Sequence, residues 1–252
     1  MIDHPFRHWR LEGWPGAVAW FTGRQGGVSP PPFATLNVGR SVRDLEPAVR
    51  ENRRRAEALG AAGRPVRYMR LEHGATVRWL GPDADPPVAD AVFVGDAAGV
   101  LAVTFADCLP IWLKVSGRPW GGLVHAGWRG TVADVAGRAV RFLRHQGVPP
   151  QDVLAALGPG IGPCCYEVDE PVAAAVRALP GGAPFLLPGG GGRYRLDLPG
   201  LNRHLLEQAG VRPEHITASG LCTGCRTDWF FSHRREGGRT GRMGGYLWLT
   251  GS

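Results

Sequence analysis

Sixty of the 252 residues are glycine or proline, about twice the usual share, and this restricts the backbone more than any other property of the chain. Neither residue is well tolerated inside helices or strands. Short elements joined by many ordered turns are therefore expected. Disorder does not follow, because 44% of the residues are hydrophobic, nine are Trp and only 20% are charged, enough to bury a sizeable core. Ordered loops of this kind are where binding and catalytic groups collect. No apolar run approaches the ~20 residues that span a bilayer, and the opening MIDHPFRHWR lacks the apolar stretch of a leader peptide. The expectation is a soluble, cytoplasmic protein folded as a single domain over residues 1–252, with no membrane partner and an oligomeric state left open.

Hydrophobic periodicity and stop signals predict four helices. They are Leu45 to Leu59 with Asp44 as cap, Val132 to Leu143, Pro171 to Leu179 with Asp169 as cap, and Pro199 to Ala209 ended by Gly210. Strand-like runs lie at Val66–Met69, Thr76–Trp79, Ala91–Val94, Val100–Phe105, Ile111–Val115, Gly121–Val124, Val153–Leu157 and Tyr246–Leu249. Several are apolar throughout, as in strands covered on both faces. Strands outnumber helices and often follow one another directly. This predicts an α/β protein of the α+β type, a mixed β-sheet core with packed helices.

Of the 29 basic residues, 28 are Arg and one is Lys114, giving a net charge of +7. A polyanionic partner is one reading. GC-rich codon usage is the other, and the scatter of most arginines along the chain favours it. Five Cys is an odd number. With no leader evident, metal or thiol chemistry is favoured over a disulfide framework.

Two strands run into polar turns. Val100–Phe105 leads into Ala106-Asp107-Cys108-Leu109-Pro110, and Gly121–Val124 into His125-Ala126-Gly127-Trp128-Arg129-Gly130. Strand-end loops form the ligand crevice of open sheets. Cys108 and His125 there suit metal ligation or a nucleophile–base pair, the alternative being a buried inert Cys and a His satisfied by backbone. Arg129, between two glycines at the start of a helix, suits an anion such as phosphate. Gly158-Pro159-Gly160-Ile161-Gly162 is not a dinucleotide loop, because Pro163-Cys164-Cys165 stands where a helix should open. Cys222-Thr223-Gly224-Cys225 is a lone CxxC. Joint use with Cys164 and Cys165 has no support in the spacing, and packing is the safer assignment. Arg234, Arg235, Arg239 and Arg242, separated by three glycines, predict an irregular loop aimed at oxyanions or, more blandly, a solvated basic loop.

In their order along the chain, FTGRQGGVSPPPFATLNVG, ENRRR, ADCLP, HAGWRG, GPGIGPCCYEV, the CxxC and FFSHRREGGRTGRMGGYLWL resemble the multi-copper polyphenol oxidoreductase (laccase-like) family. The resemblance covers roughly Ala19 to Leu249. Its members are regarded as zinc-dependent purine nucleoside phosphorylases with adenosine deaminase activity. The resemblance implies Zn2+ held by one Cys and two His, which fall on Cys108, His125 and His73. The last lies in a QVHG-like segment that reads Leu71-Glu72-His73-Gly74 here, and the residues alone do not distinguish it from other histidines. Three protein ligands leave a fourth position open, as in catalytic zinc. Implied substrates are phosphate and purine nucleosides (adenosine, inosine, guanosine and S-methyl-5'-thioadenosine), without specific nucleic acid. Arg129, Arg234, Arg235 and Arg242 are the expected phosphate clamp, and Glu167, Glu72 and Asp107, in that order, the candidate general acids or bases.

Three other functions compete. A copper polyphenol oxidase would need several His-rich sites, and the eight His are scattered without an HxH pair. A Cys108–His125 thiol hydrolase or deamidase would use the same residues without metal. A nucleic-acid-binding module would bind in a salt-sensitive manner.

Overall fold

The computed structural model describes residues 8–250; the opening MIDHPFR, part of the segment read above for a leader, lies outside the described residues. The elements run β1 (His8–Leu11), β2 (Ala17–Thr22), α1 (Glu46–Ala58), β3 (Val66–Tyr68), β4 (Val77–Trp79), β5 (Ala91–Gly95), β6 (Val100–Phe105), β7 (Leu109–Val115) and β8 (Trp120–Ala126). They continue α2 (Trp128–Val132), α3 (Val135–His145), β9 (Val153–Leu157), β10 (Glu167–Val168), α4 (Glu170–Arg177), β11 (Leu186–Pro188), β12 (Tyr194–Leu196), α5 (Leu198–Gln208), β13 (Ile216–Ala218) and β14 (Met243–Leu249).

Two mixed sheets carry the fold, one ordered β1-β2-β14-β6-β3 and the other β13-β9-β7-β8-β5-β4, with a small β10-β12-β11 sheet at the side. Alternation along β5 shows how they stack. Val92 and Val94 face Leu101, Val103 and Leu247 of the other sheet, while Ala91 and Phe93 face Val140, Leu143 and Leu201 of α3 and α5. Burial on both faces is why this strand reads as a continuous apolar run. The outer face of the five-stranded sheet packs Trp20, Ala102 and Tyr246 against Ala56 of α1. The layers are thus helix, sheet, sheet, helices, the mixed α+β architecture the sequence predicts.

Differences from the sequence reading have local causes. The expected helix Val132 to Leu143 is two helices, because Asp134 adopts a left-handed conformation (φ 59°) and caps a new one by accepting the Gly137 N–H at 3.1 Å. Asp44 does not cap α1 through its first-turn amides. Its carboxylate takes Ser29 Oγ at 2.5 Å and Asn37 Nδ2 at 2.8 Å, and Leu45 begins the helix without a side-chain cap. Asp169 caps α4 as expected, accepting from Val172 N. Of the strands that the apolar pattern missed, β1 and β10–β13 are four residues or fewer, whereas β2 is a six-residue, largely apolar run between Gly16 and Gly23.

Candidate active site

Sheet register assembles the site. In the β7–β8 ladder Leu109 pairs with Ala126 and Pro110 with His125, so Cys108, just before β7, meets Gly127, just after β8. A Cβ on Gly127 would lie 3.0 Å from Cys108 Sγ and 3.9 Å from His73 Cδ2; glycine leaves the space that a ligand ion between those side chains requires. On the other side of β8, Ala91 pairs with Val124, which brings Asp90 beside His125. The His125 amide donates to Asp90 O at 2.7 Å, and His125 Nδ1 lies 3.0 Å from Asp90 Oδ1. The same fully buried carboxylate accepts the amide N–H of His73 at 3.1 Å and of Gly74 at 2.6 Å, tying down the loop ahead of β4. Ligand atoms of His73, Cys108 and His125 consequently lie within 4.8 Å of one another, with the two imidazole rings perpendicular and 4.9 Å apart. His73 (φ 60°) and Asp107 (φ 82°) both hold left-handed backbone, a strain of about 1–3 kcal/mol each that clusters at functional sites.

One thiolate and two imidazoles form a donor set for a zinc-like or copper ion. Donation from His125 Nδ1 to Asp90 fixes the tautomer and leaves Nε2 as the ligating nitrogen. Burial opposes ionisation of Cys108, yet His125 and His73 outweigh it and draw the thiol below its ordinary value. His125 is the reverse case: burial disfavours its charge, while Cys108 and Asp90 push its pKa up. The Asp90 carboxyl lies low, burial being overcome by the bonds from His125 and Gly74.

The three ligands sit at a cavity of about 750 Å³ whose lining includes six arginines (Arg40, Arg53, Arg70, Arg129, Arg234 and Arg242) and, among the described residues, a single acid, Asp107. Arg129 lies in the first turn of α2, stacked over Trp128 at 4.5 Å. Arg242 Nη1 donates to the carbonyls of Thr240 and Gly241, each at 2.9 Å, so its head group is fixed. Arg234 lies over the Tyr166 ring at 5.0 Å and donates to the Glu167 carbonyl. Arg235 is outside the lining and donates to Gly224 O and Cys165 Sγ, both at 3.2 Å.

The three carboxylates are not grouped. Asp107 is buried in the cavity wall; its Oδ1 accepts Thr223 Oγ1 at 2.6 Å and Ser232 Oγ at 2.8 Å, and its Oδ2 accepts the Arg234 amide at 2.7 Å. Glu167 stands outside the lining, half-exposed, 3.5 Å from Arg193. Glu72 is exposed and also outside it.

Three residues of the site escaped the sequence reading. Asp90 lies outside the cavity lining and stands immediately ahead of an apolar strand, but nothing in the sequence ties it to His125. Tyr166 and His233 line the cavity. Burial raises the Tyr166 phenol pKa well above its usual value, while burial and the charge of Arg242 lower that of His233, so both are neutral near pH 7.

The family model for multi-copper polyphenol oxidoreductase laccase matches residues 18–250. The chain belongs to this laccase family. Among its relatives, a Geobacillus stearothermophilus protein named purine nucleoside phosphorylase YlmD is 41% identical over 244 residues, covering 90% of this chain and 88% of the relative. Purine nucleoside phosphorylase YlmD of Bacillus subtilis is 35% identical, covering 91% of this chain and 87% of its own length. The crystal structure of Bacillus licheniformis hypothetical protein YfiH superposes with a TM-score of 0.92 at 35% identity, covering 99% of this chain and 98% of that one. The laccase-family fold thus extends over essentially the whole chain, and the described residues contain no helix long and apolar enough to cross a membrane.

Proposed function

We propose that this laccase-family chain is a purine nucleoside phosphorylase, acting as a single cytoplasmic domain, with zinc held by His73, Cys108 and His125. The observation that carries the reading is the meeting of a Cys/His2 cluster with an arginine-lined cavity, in a chain whose relatives at 35–41% identity are named purine nucleoside phosphorylases. Zinc is favoured over copper because a lone cluster of one thiolate and two imidazoles with an orienting carboxylate suits a non-redox Lewis acid. When bound, zinc supplies Lewis-acid polarisation and, for the adenosine deaminase side reaction, water activation.

The chain's own residues do the rest. Arg129, Arg234 and Arg242 offer charge-assisted donors to phosphate and to the charge that develops as the glycosidic bond breaks. Arg235 would act from further out, through the loop it shares with Arg234. Asp107 spends its oxygens on Thr223, Ser232 and the Arg234 amide, which suits it to positioning Arg234. Neutral His233 can accept a proton at an imidazole nitrogen, and Tyr166 can donate a hydrogen bond without losing its own. Glu167, in β10, and Glu72 both stand outside the cavity lining and would need to move to reach it.

Adenosine with and without phosphate tests the reading. Phosphate-dependent adenine supports phosphorolysis and inosine supports deamination; neither product from zinc-loaded protein would overturn it. The Cys108–His125 contact also fits a thiol hydrolase. That reading expects full activity from metal-free protein and its loss on thiol alkylation.

A further inference from the structure

Four of the five cysteines take no part in the site above, and the fold brings them together. Strand β13 runs parallel to β9, with Ile216 opposite Ala155, and the pairing continues past both strand ends. Gly160 bridges Cys222, and the Thr223 amide donates to Gly160 O at 3.0 Å. The turn carrying Cys164 and Cys165 is therefore held against the turn carrying Cys222 and Cys225. All four sulfurs lie within 4.8 Å of one another, with Cys225 Sγ 3.3 Å from that of Cys164 and 3.5 Å from that of Cys165.

We propose that Cys164, Cys165, Cys222 and Cys225 form a second metal site, a closed four-thiolate site for a structural zinc ion. Four thiolates at the usual Zn–S distance of about 2.3 Å stand about 3.8 Å apart along each edge of the tetrahedron, close to the spacing present. A disulfide would engage only two of them, whereas Cys225 touches two partners at nearly equal distance. The surroundings also suit metal-bound sulfur. The Gly162 amide donates to Cys222 Sγ at 3.2 Å and Arg235 Nη2 to Cys165 Sγ at 3.2 Å, which offsets part of the charge of four thiolates. A Cβ on Gly224, inside the CxxC turn, would meet Cys165 Cβ at 2.7 Å, so this turn requires glycine to close on its partner.

The site would fasten two loops of the cavity wall. Tyr166 directly follows Cys165, and Thr223, which with Gly224 lies between Cys222 and Cys225, is bonded to Asp107. Zinc binding here forms four Zn–S bonds, displaces the water ligands of the hydrated ion and releases the thiol protons to solvent.

Metal content of protein purified without added zinc and without alkylation, with a separate aliquot alkylated at lysis to count free thiols and disulfides, decides the matter. Wild type is expected to hold roughly two zinc ions per chain, and Cys108→Ser roughly one, with an all-sulfur shell near 2.3 Å by X-ray absorption. The double variant Cys222→Ser/Cys225→Ser should also hold about one, in a mixed nitrogen and sulfur shell. Should that double variant fail to fold, the Cys108→Ser measurement decides alone. A Cys108→Ser protein without metal, an ion in it with nitrogen ligands, or recovery of the four cysteines as disulfides would overturn the proposal. None of these outcomes bears on whether the His73–Cys108–His125 centre catalyses phosphorolysis.

Discussion

The chain gathers sulfur at two places, and the two differ in what they leave open. Around Cys108 the other donors are imidazoles, the ligands sit beneath a 750 Å³ cavity, and glycine at 127 leaves space beside the sulfur. Around Cys222 every potential donor is a cysteine sulfur, and the cluster lies where two turns meet, with Cys164 and Cys225 exposed. Three mixed ligands leave room for a reacting molecule, whereas four thiolates fill a tetrahedron and leave none. The same fold thus offers one cluster suited to chemistry and one suited to holding loops in place.

The sharpest way to break this contrast is to remove the sulfur of the mixed cluster. Cys108→Ser is expected to lower kcat for phosphorolysis by about 10³-fold, the several kcal/mol that a Lewis acid supplies. Steady-state kinetics on adenosine and phosphate checks this, and near-normal turnover would separate the cluster from catalysis. Next in size is Asp90→Asn. Asp90 joins His125 Nδ1 to the amides of His73 and Gly74, and loss of such an orienting carboxylate costs about 10–100-fold in metal affinity or activity. Chelator competition and kcat on the same preparation should fall together; a variant with unchanged affinity would show that the histidines are oriented without it.

The two clusters were not equally legible in the sequence. Cys108 follows apolar β6 and His125 stands near the end of apolar β8, which runs two residues past the expected Val124, so placement at a strand end marks both. His73 rested on family resemblance, because nothing local marks a histidine in a short irregular loop; its partner Asp90 becomes visible only when β5 is laid against β8. Nothing in the spacing joins the four-cysteine cluster, because Cys165 and Cys222 are far apart in sequence. What unites them is a parallel pairing of β9 with β13, and β13 is three residues, two of them exposed, too short and polar to announce itself. The apolar strands β5 to β9 were readable for the opposite reason, being covered on both faces. Arginine placement was only partly legible: the 234–242 segment pointed to the cavity as a whole, but which guanidiniums enter it depends on the bonds that Asp107, Thr240 and Gly241 make.

Arginine variants sharpen the comparison at intermediate size. Arg234→Ala removes a guanidinium from the cavity wall and is expected to raise KM for phosphate about tenfold or more, the worth of a charge-assisted hydrogen bond. Arg235→Ala, whose donors point to Gly224 O and Cys165 Sγ, should raise it less and instead speed zinc loss from the four-thiolate site. Equal effects on phosphate would show that the two arginines act as one clamp.

The smallest effect is expected where the two clusters are joined. Thr223 is fully buried, lies inside the CxxC turn, and gives its hydroxyl to Asp107, the neighbour of Cys108. Thr223→Val keeps the shape and deletes that donor. Asp107 retains Ser232 Oγ and the Arg234 amide, so the carboxylate is left short of one bond rather than stranded. The cost should be about 1–2 kcal/mol, a fall in Tm of roughly 3–6 °C for a chain of this size. If the four-thiolate site acts on the cavity through this bond, phosphate KM in Thr223→Val should rise by about as much as in Cys222→Ser/Cys225→Ser, and combining the three substitutions should add little, since coupled residues are not additive. Full additivity would mean that the two clusters stabilise the wall independently, with Thr223 serving Asp107 alone.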